Sequence, residues 1–138
     1  MLSPRTSPDQ ARPLTVADVM LAADLQTSDH TTVDKALDIL NSAHVQHLLI
    51  RGEDGRCVGL IARADLDDYR TQPWYSQQTR LRDLDHGHDH GPFATPDTPA
   101  ATATTTMRAR GLDAWPVVDA DGYALGVITA ERLRTLPA

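Results

Sequence analysis

The chain writes one construction twice. Val58-Gly59-Leu60-Ile61-Ala62-Arg63-Ala64-Asp65-Leu66 returns near the C-terminus as Leu125-Gly126-Val127-Ile128-Thr129-Ala130-Glu131-Arg132-Leu133. Gly59 and Gly126 stand 67 positions apart, and the same offset pairs Asp54-Gly55 with Asp121-Gly122, Leu40 with Met107, Ala36 with Ala103, Thr31 with Thr98 and Thr27 with Ala94. Near the start the offset is 65, Asp18 against Asp83, so the second half carries a two-residue insertion in or beside the loop His86 to His90. An internal repeat settles the architecture before any local propensity does. In a chain of 138 residues each half has only about 60 and is marginal alone, so the halves are expected to share a core.

Residues 1–13 hold three prolines and no apolar periodicity, which predicts a disordered tail. Thr15 is placed to cap a short turn carrying Val16, Val19 and Met20, and Asp24 to Thr27 reads as a short extended piece. Thr31 with Asp34 resembles a capping box, and Val33, Ala36, Leu37, Leu40 and Ala43 follow at helical spacing. Val45–Arg51 and Val58–Ala62 read as strands joined by an Asp-Gly turn, because such a turn needs the positive φ that glycine adopts cheaply. A helix over Arg63–Tyr69 closes the first unit, 14–69, and 70–80 is the linker. The second unit, 81–136, repeats the order with a predicted cap at Thr98, Pro99 opening a threonine-rich helix over 100–110, and strands Trp115–Asp119 and Leu125–Thr129.

Charge narrows the partners. The formal charge is −6 with a pI near 5.3, and no stretch gathers enough Arg and Lys to track a phosphate backbone, which argues against nucleic acid. No apolar run reaches the length of a membrane span, and Met1 to Gln10 lacks a signal-peptide core. A single cysteine, Cys57, agrees with a reducing compartment, so the expected location is the cytoplasm. No Gly-x-Ser-x-Gly, no phosphate loop with its lysine and no supported Cys-His pair points to an enzyme.

Taken together, Ala17-Asp18-Val19-Met20, the helix around Ala36-Leu37, Pro116-Val117-Val118-Asp119, both Asp-Gly hairpins and the two Gly-apolar-Ile segments resemble the tandem cystathionine β-synthase (CBS) domain pair, or Bateman module, over residues 14–136. The resemblance implies an α/β fold of two pseudo-symmetric units, each a small three-stranded sheet with flanking helices, packed through their sheets. It also implies a flat homodimer and clefts between the units that bind adenine-containing ligands such as AMP, ADP, ATP or S-adenosylmethionine.

The family's contact segment runs Gly, two apolar residues, Thr or Ser, two variable residues, Asp. Here Gly59-Leu60-Ile61 is followed by Ala62 where the hydroxyl belongs, while Asp65 keeps the carboxylate. Gly126-Val127-Ile128 is followed by Thr129, but Arg132 stands in the acidic position. Two readings are open. Asp65 grips a ribose and Arg132 meets phosphate oxygens, or Asp65 merely caps a helix and Arg132 is a surface charge. Trp115 is placed to stack on a base or to serve the core.

Other residues invite chemistry. His86, His88 and His90, alternating beside Asp85 and Asp89, make a reasonable set for zinc or a similar metal, or a solvated loop. His44 and His47 precede the first strand and either face a cleft or satisfy a helix end; Trp74 and Tyr75 suit a dimer contact. The reading is a stand-alone sensor that binds an adenine nucleotide and signals to an effector protein. The alternatives are a metal-responsive protein working through His86 to His90 and a structural dimerisation module without ligand.

Overall fold

The computed structural model describes residues 13–22, 25–84 and 92–135. In chain order the elements are α1 (Val16–Val19), β1 (Leu21–Ala22), β2 (Gln26–Ser28), α2 (Val33–Ala43), β3 (His47–Arg51), β4 (Cys57–Ala62), α3 (Arg63–Tyr69), a 3-10 turn (Leu81–Asp83), α4 (Ala100–Arg110), β5 (Ala114–Val118), β6 (Ala124–Thr129) and α5 (Ala130–Arg134). The 67-residue offset holds to the residue: α2, β3 and β4 become α4, β5 and β6. Both hairpins share one register, His47 opposite Ala62 and Ala114 opposite Thr129, with a bulge after Ile50 and after Val117. Gly55 and Gly122 supply the expected positive φ at the turns, +86° and +95°.

The two long helices form for different reasons. α2 buries Val33, Ala36, Leu37 and Leu40 along one stripe. α4 has only Ala100, Ala103 and Met107 to bury, and its Thr104 and Thr105 hydroxyls bond back to the carbonyls of Ala100 and Ala101, so packing rather than propensity holds it. Both caps fall one residue later than the sequence suggests, at Thr32 and Pro99. The hydroxyls of Thr31 and Thr98 are already engaged upstream, with Thr27 at 2.7 Å and Thr95 at 3.0 Å, which leaves Thr32 to accept from Lys35 N–H. The left-handed residue that ends α2 is His44 (φ 57°), and its counterpart after α4 is Gly111 (φ 68°).

Among the described residues each hairpin gains one further strand, on different edges. One sheet is ordered β2-β3-β4, with β2 parallel to β3; the other is β1-β6-β5, with β1 antiparallel to β6. In the first sheet Leu49 N–H donates to the Leu25 carbonyl. The equivalent of Leu49 is Pro116, which has no N–H, and the equivalent of Leu25 is Pro92. The β2 counterpart therefore shrinks to one bridge, Ala94 with Val117, and the Pro92 carbonyl accepts instead from Trp115 Nε1 (3.1 Å) and Arg110 Nη1 (3.0 Å).

Strand alternation sorts the core into three layers. Leu48, Ile50 and Ile61 face α2 and α3; Trp115, Val117 and Ile128 face α4 and α5. Leu49, Cys57, Leu60, Ala114 and Val118, with Ala124 and Val127, form the seam where the sheets meet. At one end of the seam the hairpins lock, Cys57 N–H to the Gly122 carbonyl at 2.9 Å and Arg56 Nε to the Asp121 carbonyl at 2.6 Å.

The segments ahead of each sheet are exchanged. Val16 and Val19 of α1 belong to the core of the second sheet, whereas Leu81 and Leu84 belong to that of the first. Matching backbone bonds fix both crossings: Val16 N–H to Thr98 and Ala100 N–H to Leu14 on one side, Leu81 N–H to Thr31 and Val33 N–H to Thr79 on the other, all at 2.8–2.9 Å.

Candidate ligand-binding clefts

Because the sheets meet through Leu60 and Val127, the next inward residues on β4 and β6, Ala62 and Thr129, stand at the seam's open end. Opposite each lies the segment that leads into the other unit's first hairpin strand. Cleft one, about 320 Å³, lies among Leu60, Ala62, Ala64 and Asp65 of the first half and Gly111, Leu112, Asp113 and Ala114 of the second. Cleft two, about 390 Å³, lies among Val127 and Thr129 of the second half, His44 to His47 and Leu49 of the first, and Leu21, Ala22 and Leu25. A hollow of about 430 Å³ beside it adds Ala130, Glu131 and Arg134 and reaches Asp113. These volumes lie within the range of small-molecule sites, roughly 300–1,000 Å³.

The chemistry of the two clefts differs. In cleft one Asp65 lies in the first turn of α3, and burial raises its carboxyl above the ordinary range; the Ala62 backbone N–H opposes the rise, Asp68 adds to it, and His47 opposes it. His47 lines both clefts, and burial holds its imidazole below the ordinary value while Asp113 and Asp65 pull it up. Among the described residues the lining thus gathers two carboxylates and an imidazole, with no Arg or Lys. A half-buried carboxylate such as that of Asp65 can accept from two vicinal hydroxyls at once.

In cleft two the Thr129 hydroxyl caps α5, accepting from Arg132 N–H at 3.1 Å. Arg132 Nε donates to the Val19 carbonyl, tying α5 to α1. Its cation comes from Arg134, on the wall of the adjoining hollow.

Of the residues marked by the sequence, Leu60, Ala62 and Asp65 come together at cleft one, and Val127 and Thr129 at cleft two. Ile61 and Ile128, 1% and 0% exposed, point the other way into the helical cores. Trp115 is core as well, 5% exposed with its indole N–H on Pro92, so its ring is not offered to either cleft. His86, His88 and His90 lie outside the described residues, and among the described residues no group of three or more His, Cys, Asp or Glu side chains could hold a metal ion. Sequence reasoning missed Asp113, Gln46, Glu131 and Arg134. The signal available for Asp113 was its place one residue ahead of β5, where the offset sets it against Gln46 ahead of β3.

A family model described as the CBS domain matches residues 16–71 and 88–137. Among solved structures, the CBS domain pair of protein MJ0100, in complex with 5'-methylthioadenosine and S-adenosyl-L-methionine, superposes with a TM-score of 0.75 at 21% identity, covering 89% of this chain and 94% of that one. CBSX2 in complex with AMP superposes at 0.70 with 23% identity, covering 88% and 93%. A curated relative, the homoserine O-acetyltransferase of Methanohalobium evestigatum, is 24% identical over 121 residues; the match takes in 88% of this chain and spans 24% of that protein's length.

Proposed function

The chain belongs to the CBS domain family, and from that premise we propose that it is a regulatory module that binds an adenine-containing ligand between its two halves. The carrying observation is that cleft one is walled by both halves, Asp65 from one and Leu112 to Ala114 from the other. A ligand there would touch both units and so favour one angle between them, which is what a sensor requires. We further propose that the module works as a homodimer in the cytoplasm and reports its state to an effector protein.

The lining also selects among ligands. Asp65 and Asp113 would repel a triphosphate, while Asp65 would accept from the ribose hydroxyls, so cleft one favours an adenosine compound without phosphate, or with a positive charge, such as S-adenosylmethionine. Among the described residues AMP, ADP and ATP would find their cation at Arg134, beside cleft two.

Thermal unfolding against S-adenosylmethionine, AMP, ADP and ATP tests the reading. Ligand at about 100 times its dissociation constant adds roughly 2.7 kcal/mol, which raises Tm by several degrees. The shift with S-adenosylmethionine should vanish in Asp65→Ala, whose affinity is expected to drop about 100-fold with the loss of two charge-assisted hydrogen bonds. No shift with any of the four would leave a scaffold without ligand.

A further inference from the structure

The two clefts and the hollow beside the second adjoin at shared side chains. His47 lines all three, and Asp113 lines both cleft one and the hollow. Asp113 has no charged counterpart in the first half. The 67-residue offset sets it against Gln46, and each holds the helix that follows by the same backbone bond: the Gln46 carbonyl accepts from Arg63 N–H at 2.9 Å, the Asp113 carbonyl from Ala130 N–H at 2.8 Å. One half thus brings a neutral amide to this crossing and the other a carboxylate. The charges around the hollow decide what that carboxylate does. Among the described residues its charged lining is Asp113 and Glu131 against Arg134, while burial keeps the His47 ring neutral at neutral pH. A phosphate group drawn to Arg134 therefore meets two carboxylates on the same wall. Asp113 is the one that can leave, because it is exposed and an exposed side chain that walls two hollows passes its carboxylate between them by a rotamer change.

We infer that a cationic adenosine compound in cleft one promotes binding of a phosphate-bearing nucleotide in cleft two and its adjoining hollow, with the Asp113 carboxylate as the link. The inference rests on the adenine-ligand reading above and adds how the two clefts answer to each other. Cleft one, at about 320 Å³, is on the order of 8 Å across, so a positive charge anywhere inside it lies within about one Debye length of Asp113 at physiological salt. That charge holds the carboxylate on the cleft-one side. The hollow is then left with Glu131 against Arg134, and the phosphate no longer has to expel a second anion. Linkage makes the effect reciprocal, so the nucleotide tightens the cationic ligand by the same factor. Couplings between sites commonly amount to about 5–150-fold, and one mobile carboxylate places this one near the lower end, at roughly tenfold.

Isothermal titration calorimetry of ADP tests this in wild type and Asp113→Asn, each alone and with saturating S-adenosylmethionine or 5'-methylthioadenosine. Gln46 shows that an amide fits the position, so the variant is expected to fold. In wild type S-adenosylmethionine should tighten ADP roughly tenfold, and 5'-methylthioadenosine, which has no sulfonium charge, should not tighten it. Asp113→Asn should bind ADP more tightly than wild type when no second ligand is present. Its response to S-adenosylmethionine should fall to about twofold, the direct attraction of two unit charges about 8 Å apart through water. ADP binding that S-adenosylmethionine leaves unchanged or weakens would overturn the coupling while leaving the adenine-ligand reading in place. So would an enhancement that persists in full in Asp113→Asn, or one that 5'-methylthioadenosine matches. A wild-type chain that binds none of the three compounds would overturn the adenine-ligand reading itself, and this inference with it.

Discussion

The two sheets are built from the same hairpin in the same register, but among the described residues each gains its third strand on a different edge. In the first, β2 lies along β3 over Gln26–Ser28, and Leu49 N–H adds a bond to the Leu25 carbonyl just ahead of it. In the second, Pro116 withholds that donor, and the third strand is β1, which arrives on the opposite edge, beside β6. A repeat therefore dictates a supersecondary unit, while a single missing donor shortens the pairing along one of its edges. β1, on the other edge, reaches the clefts, since its Leu21 and Ala22 are wall residues of cleft two.

Three substitutions sharpen that contrast. The largest effect is expected from Gly126→Ala. A Cβ there would collide with the Leu21 carbonyl and meet Met20 Sδ at 3.0 Å, so β1 must move off β6. Overpacking of this kind costs about 1–3 kcal/mol, and urea unfolding should register it. A variant as stable as wild type would mean that β1 contributes nothing to the second sheet. Next comes His44→Gly, which gives the end of α2 the residue that ends α4. Relief of a left-handed conformation at a non-glycine residue should raise stability by roughly 0.5–1 kcal/mol, read in the same unfolding curves.

The smallest effect is a pH dependence. Burial holds His47 below its ordinary value of 6.5, so the stability contributed by the neutral ring is fully present above 6.5 and is lost as pH falls through the lowered folded value. Asp65 runs the other way. Its raised value means stability declines as pH rises from 3.8 through the folded value and is recovered on acidification. Melting curves between neutral and mildly acidic pH should thus decline in wild type and flatten in His47→Gln. An unchanged slope would remove His47 from the shared wall of the two clefts.

Much of this architecture was readable because it is local. The spacing of Val33, Ala36, Leu37 and Leu40 and the glycines at 55 and 122 fix α2 and the hairpins, and the offset carries them into the threonine-rich half, where propensity alone would fail. What was not readable depends on distant partners. The helix starts slipped by one residue because Thr31 and Thr98 bond upstream. The exchange of α1 and the 3-10 turn between cores is written in no periodicity, since a short apolar stretch serves either core equally well. At the clefts the sequence marks Asp65 and Thr129 through the contact segment, but Asp113 and Arg134 enter only when the opposite half folds against them.

The crossing of those leading segments means that the polypeptide is not two beads on a string. Were the backbone severed within residues 70–78, the upstream piece would hold the hairpin of one sheet and the opening turn that seals the other, and the downstream piece the converse. Neither piece owns a finished interior, which predicts a pair of complementing fragments that gain structure on meeting. Whatever seats itself between the halves acts on a single cooperative body.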